Sequence, residues 1–206
     1  YELAKQLVKR GHNVTVCASG FNHYTREDTR IPPGSSSVTE QFEGVNFVLI
    51  KTKPYWRNDW RRAINMLSYS LRVTWFGLRS AESPDFVIGS TPHPFAPIAA
   101  FILARLKRAK FVFEVRDLWP LFPIEIGELS KNSPTAVALR WIEKFCFKRA
   151  EKIVTIWPGM DRYVEERGVS SQKTVWIPVG VDLANYESFD ARDAHDKDHE
   201  TFDCMY

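Results

Sequence analysis

Six short, uninterrupted runs of branched and aromatic residues punctuate the chain, at Val14–Val16, Val45–Ile50, Phe86–Ile88, Phe111–Val115, Ile153–Ile156 and Val175–Ile177. Runs without polar alternation suit strands covered on both faces, the environment a parallel sheet between helices supplies. Helical patterns separate several of them. The first reads from Tyr1 to Arg10, with Leu3, Leu7 and Val8 on one face and Gly11 as its stop. Others are predicted over roughly 57–80, 95–107 and 133–149, the last with Ser133 as cap and Pro134 in its first turn. Strands alternating with helices predict an α/β fold built on a doubly wound parallel sheet. Two stretches break the alternation. Asn22–Gln41, with Pro32-Pro33-Gly34 and a serine run, reads as a long functional loop, and the acidic stretch Asp190–Glu200 reads as a linker.

With 206 residues, 44% of them hydrophobic, the chain suits one such domain better than two. A net charge of +3 excludes a dedicated nucleic-acid binder but permits a local basic patch toward phosphates or an anionic membrane. Cys17, Cys146 and Cys204 are too far apart in sequence for a zinc motif or a disulfide framework, which suits a reducing compartment. No apolar run reaches bilayer-spanning length, so membrane contact is expected to be peripheral.

In an open parallel sheet ligands bind beyond the carboxyl ends of the strands. The loops to search are therefore Asn22–Tyr24, Asn58–Arg62, Ser90–Phe95, Arg116–Glu128, Pro158–Gly159 and Pro178–Asp182. The richest is the strand end Phe113-Glu114-Val115-Arg116-Asp117-Leu118-Trp119-Pro120, where a guanidinium and a carboxylate leave the strand together. Asp117 there suits a base or hydroxyl-orienting role and Arg116 a phosphate or carboxylate contact; the competing reading is a structural ion pair. His23 offers an imidazole that can exchange a proton near neutral pH, or is simply solvated. His93, between Pro92 and Pro94, sits on a stiff turn and is either a binding or a structural residue.

Residues 57–79 carry two adjacent helical stripes, one apolar (Trp60, Ile64, Leu67, Leu71, Trp75, Leu78) and one basic or polar (Arg57, Arg61, Asn65, Ser68, Arg72, Arg79). Such a pair suits an anionic membrane interface. The alternative is an ordinary helix packing its apolar stripe on the sheet.

Pro84–Ser90, Phe113–Pro120 and Ile177-Pro178-Val179-Gly180-Val181-Asp182, in this order and spacing, resemble glycosyltransferase family 4, particularly its WbuB-like branch of bacterial surface-polysaccharide enzymes. Tyr1–Ala4, Gly20–Arg26 and the spacing of Tyr55, Asn58, Arg61 and Asn65 also look like that branch. The resemblance implies a GT-B enzyme of two Rossmann-like domains facing across a cleft. On that basis residues 1–183 are expected to be the acceptor-side domain without its first strand and glycine-rich loop, 184–200 an interdomain linker, and 201–206 the start of a donor-binding domain. The expected chain is thus truncated at both ends.

The expected catalytic residues are Asp117 and His23, with Asn22, Asn58, Arg61, Asn65, His93, Arg116, Trp119 and Glu125 binding substrate. Many family members place a histidine where Arg116 stands, and arginine cannot act as a base at physiological pH. An asparagine also commonly stands at the position of Val179. The resemblance implies a nucleoside-diphosphate sugar as donor, a glycan or lipid-linked sugar as acceptor, no cofactor and no required metal, since protein donors can neutralise the leaving phosphates. The enzyme is expected in the cytoplasm or on the inner face of the cell membrane. A GT-B sugar-nucleotide epimerase and a non-catalytic sugar- or nucleotide-binding module share the architecture and remain alternatives.

Overall fold

Backbone hydrogen bonding divides the strands of the computed structural model into two sheets, of order β1-β3-β2 and β4-β5-β6-β7. The structure describes residues 1–180 except Thr29 and Asn58, so the expected linker, the start of a second domain and the Asn58 site lie outside the described residues. The first sheet comprises β1 (Thr15–Ser19), β2 (Ser37–Phe42) and β3 (Val45–Ile50); the second comprises β4 (Phe86–Ser90), β5 (Lys110–Val115), β6 (Lys152–Thr155) and β7 (Thr174–Trp176). β1 and β3 are parallel, and so are all neighbours in the second sheet. Every predicted branched run therefore lies in or overlaps a strand, and the α/β, Rossmann-like fold class holds.

The expected long loop does not. β2 pairs antiparallel with β3 and occupies its last part, Ser37–Gln41, so the first sheet is mixed rather than parallel. Its polar residues read as loop because β2 is an edge strand with little side-chain burial. Glu43 and Gly44 close the hairpin with φ of 47° and 79°, the paired left-handed geometry that matches strand twist. Helix α1 (Glu2–Lys9) rests on this hairpin: Lys5 pairs with Glu43 at 3.3 Å, and a Cβ on Gly44 would meet Val8 Cγ1 at 2.7 Å.

Helix α2 (Trp60–Arg79) begins at Asp59, whose side chain accepts from the Arg61 N–H, and α3 (Phe95–Lys107) has the predicted bounds. Ser133 caps α5 (Pro134–Arg149) as expected, accepting from the Ala136 N–H at 3.1 Å. Two short helices, α4 (Leu121–Glu125) and α6 (Met160–Glu165), were not legible because each is too short to show a period. Phe111, Phe113, Val115, Phe147 and Ile153 form the centre of the core. Expected two-sided burial fails in β4, where Phe86 and Ile88 are about half exposed while Gly89 is pressed against Pro97 and Ala100 of α3.

A buried ionic cluster fixes α6 to α5. Glu143 of α5 accepts from Arg167 Nε at 2.8 Å and from the Tyr163 hydroxyl at 2.7 Å, and the Arg167 guanidinium lies 3.2 Å from the Tyr163 ring centre. Burial lifts the Glu143 carboxyl above its usual range, and these two partners pull it back. Removing one member leaves a buried group unmatched, so Arg167→Ala should destabilise the fold by about 3 kcal/mol, read from denaturant unfolding with Arg167→Lys losing less. Equal stability of all three proteins would show the cluster to be energetically idle.

Candidate active site

The loops after β4, β5 and β6 are bound into one edge by a small backbone-directed network. Thr91, buried directly after β4, accepts at Oγ1 from the N–H groups of Arg116 (2.9 Å) and Asp117 (3.0 Å). From the β6 side, Trp157 Nε1 donates to the Arg116 carbonyl at 2.9 Å, and the Trp157 N–H donates to Thr155 Oγ1 at 3.0 Å. The peptide planes carrying Arg116 and Asp117 are thus held from both flanks. Both side chains are exposed, and among the described residues neither takes part in an ion pair. Their guanidinium and carboxylate stand available to a ligand on the edge where an open sheet binds one.

Unpartnered polar atoms collect on the same edge. Ser90 Oγ, His93 Nδ1 and Trp119 Nε1 are buried without hydrogen-bond partners among the described residues. His93 lies edge-on to Tyr69 with ring centres 5.6 Å apart, and burial, reinforced by the Arg62 charge, lowers its pKa from 6.5 to about 4. It is therefore a neutral imidazole at pH 7. Glu125, at the end of α4, is exposed.

A second group of predicted residues sits beyond β1 and β3. Asn22 Oδ1 accepts from the N–H groups of Tyr24 (2.9 Å) and Thr25 (3.3 Å), so its carbonyl oxygen builds the turn that presents His23. His23 is exposed and touches only the Tyr24 ring, at 3.8 Å between centres, among the aromatic contacts of the described residues. Arg26 Nη1 donates to the Trp56 carbonyl, tying this turn to the segment before α2. Arg61 is exposed, pairs with Asp59 at 3.7 Å and stacks on Trp60.

Asn65, expected among the substrate-binding residues and on the polar stripe of the helix, points inward. It is 8% exposed, and its Nδ2 donates to Thr52 Oγ1 (2.9 Å) and the Lys53 carbonyl (2.6 Å). Thr52 in turn exchanges a hydrogen bond with Ser19 Oγ at 3.0 Å, so Asn65 latches α2 to the ends of β1 and β3. Among the described residues no hydrogen bond or ring contact joins His23 to Asp117; the two expected catalytic groups occupy separate loops. Thr91 and Trp157 are the residues sequence reasoning missed. Their only signal was position, each within a few residues of a strand's carboxyl end.

Among the described residues no cluster of histidine, cysteine, aspartate and glutamate is placed to hold a metal ion. Burial raises the Cys17 thiol to about 11 and the Cys146 thiol to about 12, which leaves both protonated and unreactive at neutral pH.

The glycosyl transferase 4-like domain matches residues 1–180. The chain belongs to that family. No curated protein sequence matches it. Among solved structures it is similar to sucrose-phosphate synthase from Thermosynechococcus elongatus, with a TM-score of 0.61 at 12% identity, over 89% of this chain and 42% of that one. That likeness shows a shared GT-B-type fold, and this glycosyltransferase-like chain spans less than half of that relative's length.

The His93 environment has a pH consequence of fixed sign. Between about 4 and 6.5 the unfolded state binds a proton at His93 that the folded state refuses, so this residue makes stability fall as pH drops through that interval. Melting temperatures of the wild type and His93→Gln measured from pH 7.5 to 4 should diverge in the variant's favour below 6.5. Parallel curves would mean that the imidazole titrates as if exposed.

Proposed function

We propose that the chain is the acceptor-side half of a glycosyltransferase that moves a sugar from a nucleoside diphosphate to a glycan or lipid-linked acceptor during cell-surface polysaccharide synthesis. The observation that carries this reading is the exposed Arg116–Asp117 pair, rigidly held by Thr91 and Trp157 at the carboxyl edge of the second sheet. In the proposed reaction the acceptor hydroxyl attacks the anomeric carbon while the nucleoside diphosphate leaves. Asp117 accepts or orients the hydroxyl proton, and Arg116 receives a phosphate or carboxylate through its forked donors. His23, on its own turn, binds or deprotonates a neighbouring hydroxyl.

Ser90, His93 and Trp119 support a polar ligand at this edge, because a buried polar group without a partner costs about 1–3 kcal/mol. Arg61 and Glu125, both exposed, are assigned to the periphery of the acceptor site, and Asn58 is proposed as a further substrate-binding residue; Asn22 and Asn65 support the site by shaping the loop and seating the helix. Pairing within the sheets supports the larger architecture. Among the described residues β1 is hydrogen-bonded only to β3, and β4 only to β5, so each has an edge open to a further strand. We assign the family's first strand to those edges, and the nucleotide-sugar to a second domain across the cleft. The enzyme works on the cytoplasmic side of the membrane that carries its acceptor.

The decisive test uses the gene product with its flanking sequence, supplied with nucleoside-diphosphate sugars and a lipid-linked acceptor. Asp117→Asn keeps size and shape but removes the charge, so turnover should fall roughly 10²-fold or more at unchanged melting temperature. Arg116→Lys should raise KM more than it lowers kcat, since an ammonium cannot reproduce a forked contact. Residues 1–206 alone should transfer nothing. An Asp117→Asn enzyme that melts early yet turns over normally when folded would reduce the pair to a structural role.

A further inference from the structure

Helix α2 carries large apolar residues on both of its faces. Its inward face combines half-buried Met66, Val73 and Phe76 with polar and small groups: Asn65 bonds Thr52 and Lys53, the Tyr69 hydroxyl donates to the Cys17 carbonyl at 2.8 Å, and Gly77 is packed by Leu103 of α3. Its outward face is apolar, with Trp60 65%, Leu71 65% and Trp75 59% exposed beside Ile64, Leu67 and Leu78. The helix thus has apolar residues to spare: one set packs inward beside the polar latch, and a second, continuous row faces solvent. Soluble proteins rarely expose so continuous a row of large apolar side chains without a partner for it.

We propose that this face docks on an anionic lipid bilayer, with α2 lying in the plane of the headgroups. The proposal extends the transferase reading to its partner surface and rests on that reading only for the location of the acceptor. Charge selects the occupant. The sequence of α2 holds four arginines and no carboxylate, and Arg61, Arg72 and Arg79 are exposed along the apolar row. The Arg61 guanidinium lies 5.5 Å from the Trp60 ring centre and that of Arg79 lies 4.3 Å from Trp75. Each end of the row thus pairs an indole with a cation, the combination that settles where acyl chains give way to phosphates. The two tryptophans are separated by about 22 Å at helical rise, a span that fits a helix lying flat.

Two rival occupants fit less well. A second copy packed along the same row would bring six arginines together, three from each helix, with no carboxylate of α2 to offset them. Insertion across the bilayer fails on composition, as no described helix is long and apolar enough to cross a membrane.

The test is sedimentation of the 206-residue chain with vesicles of phosphatidylcholine and phosphatidylglycerol, against phosphatidylcholine alone, at low and high salt. Binding should require the anionic lipid, weaken with salt and shift tryptophan emission to shorter wavelength. Replacing Arg61, Arg72 and Arg79 by glutamine should weaken it on the order of a hundredfold, at roughly fivefold per arginine. Leu71→Ser with Trp75→Ser should abolish the emission shift; both sites are exposed, and melting curves establish that each variant folds. No binding to anionic vesicles, equal binding to neutral ones, or a dimer in solution that Leu71→Ser dissolves would each overturn the proposal. Sugar transfer is not part of the readout. A chain that binds vesicles but whose complete form transfers no sugar would sink only the function, and an active complete enzyme indifferent to vesicles would sink only the docking face.

Discussion

The seat of α2 is the constraint on which the rest of the described structure depends. Among the described residues the two sheets share no backbone ladder, so their relative position rests on what crosses between them. Asn65 fastens the helix to Thr52 and Lys53 beyond β3, Tyr69 reaches the Cys17 carbonyl of β1 and touches His93 beyond β4, and Gly77 lets α3 approach closely. These are directional contacts with few alternative geometries, unlike an apolar stripe that can slide. Polar groups on the inner face are therefore a means of fixing register between two sheets. The outer row of Trp60, Ile64, Leu67, Leu71, Trp75 and Leu78 takes no part in that seat.

Periodicity made the strands and long helices legible, because it reports which face of an element is buried. The same signal left two readings open at α2. Trp60, Ile64, Leu67, Leu71, Trp75 and Leu78 trace one helical face with or without a sheet beneath it, and spacing alone does not say whether that face meets protein or solvent. β2 was lost for the opposite reason: an edge strand with Ser37, Thr39, Glu40 and Gln41 buries too little to write a pattern. Gly44 after Glu43 carried the hairpin signal, but it followed a polar segment whose prolines and serines read as loop.

The candidate site was legible as an edge and not as a set of contacts. Arg116 and Asp117 stood out because charged residues directly follow a buried strand. Thr91 did not, since a threonine after a strand is unremarkable until its hydroxyl is found beneath two N–H groups. That Asn65 faces inward was not legible, because sequence spacing groups residues along a helix without saying which of them point inward. Neutral His93 is likewise a tertiary property: the imidazole sits against Tyr69 from α2 and under the influence of Arg62.

These features couple through the thickness of one helix. His93 touches the inner face of α2 through Tyr69, while Trp60, Leu71 and Trp75 occupy the outer face. An α-helix with its side chains is about 10 Å across, so a bilayer meeting the outer face would stand about that far below the loop after β4. On the proposed reading, an acceptor sugar joined to a lipid through a phosphate would rise from the headgroups past the helix to reach Asp117. Arginines along the outer row would meet the lipid phosphates first and hold the helix at that depth. The inward polar latch and the outward apolar row would then serve one proposed geometry: the first fixing the site relative to α2, and the second fixing α2 relative to the surface from which the acceptor comes.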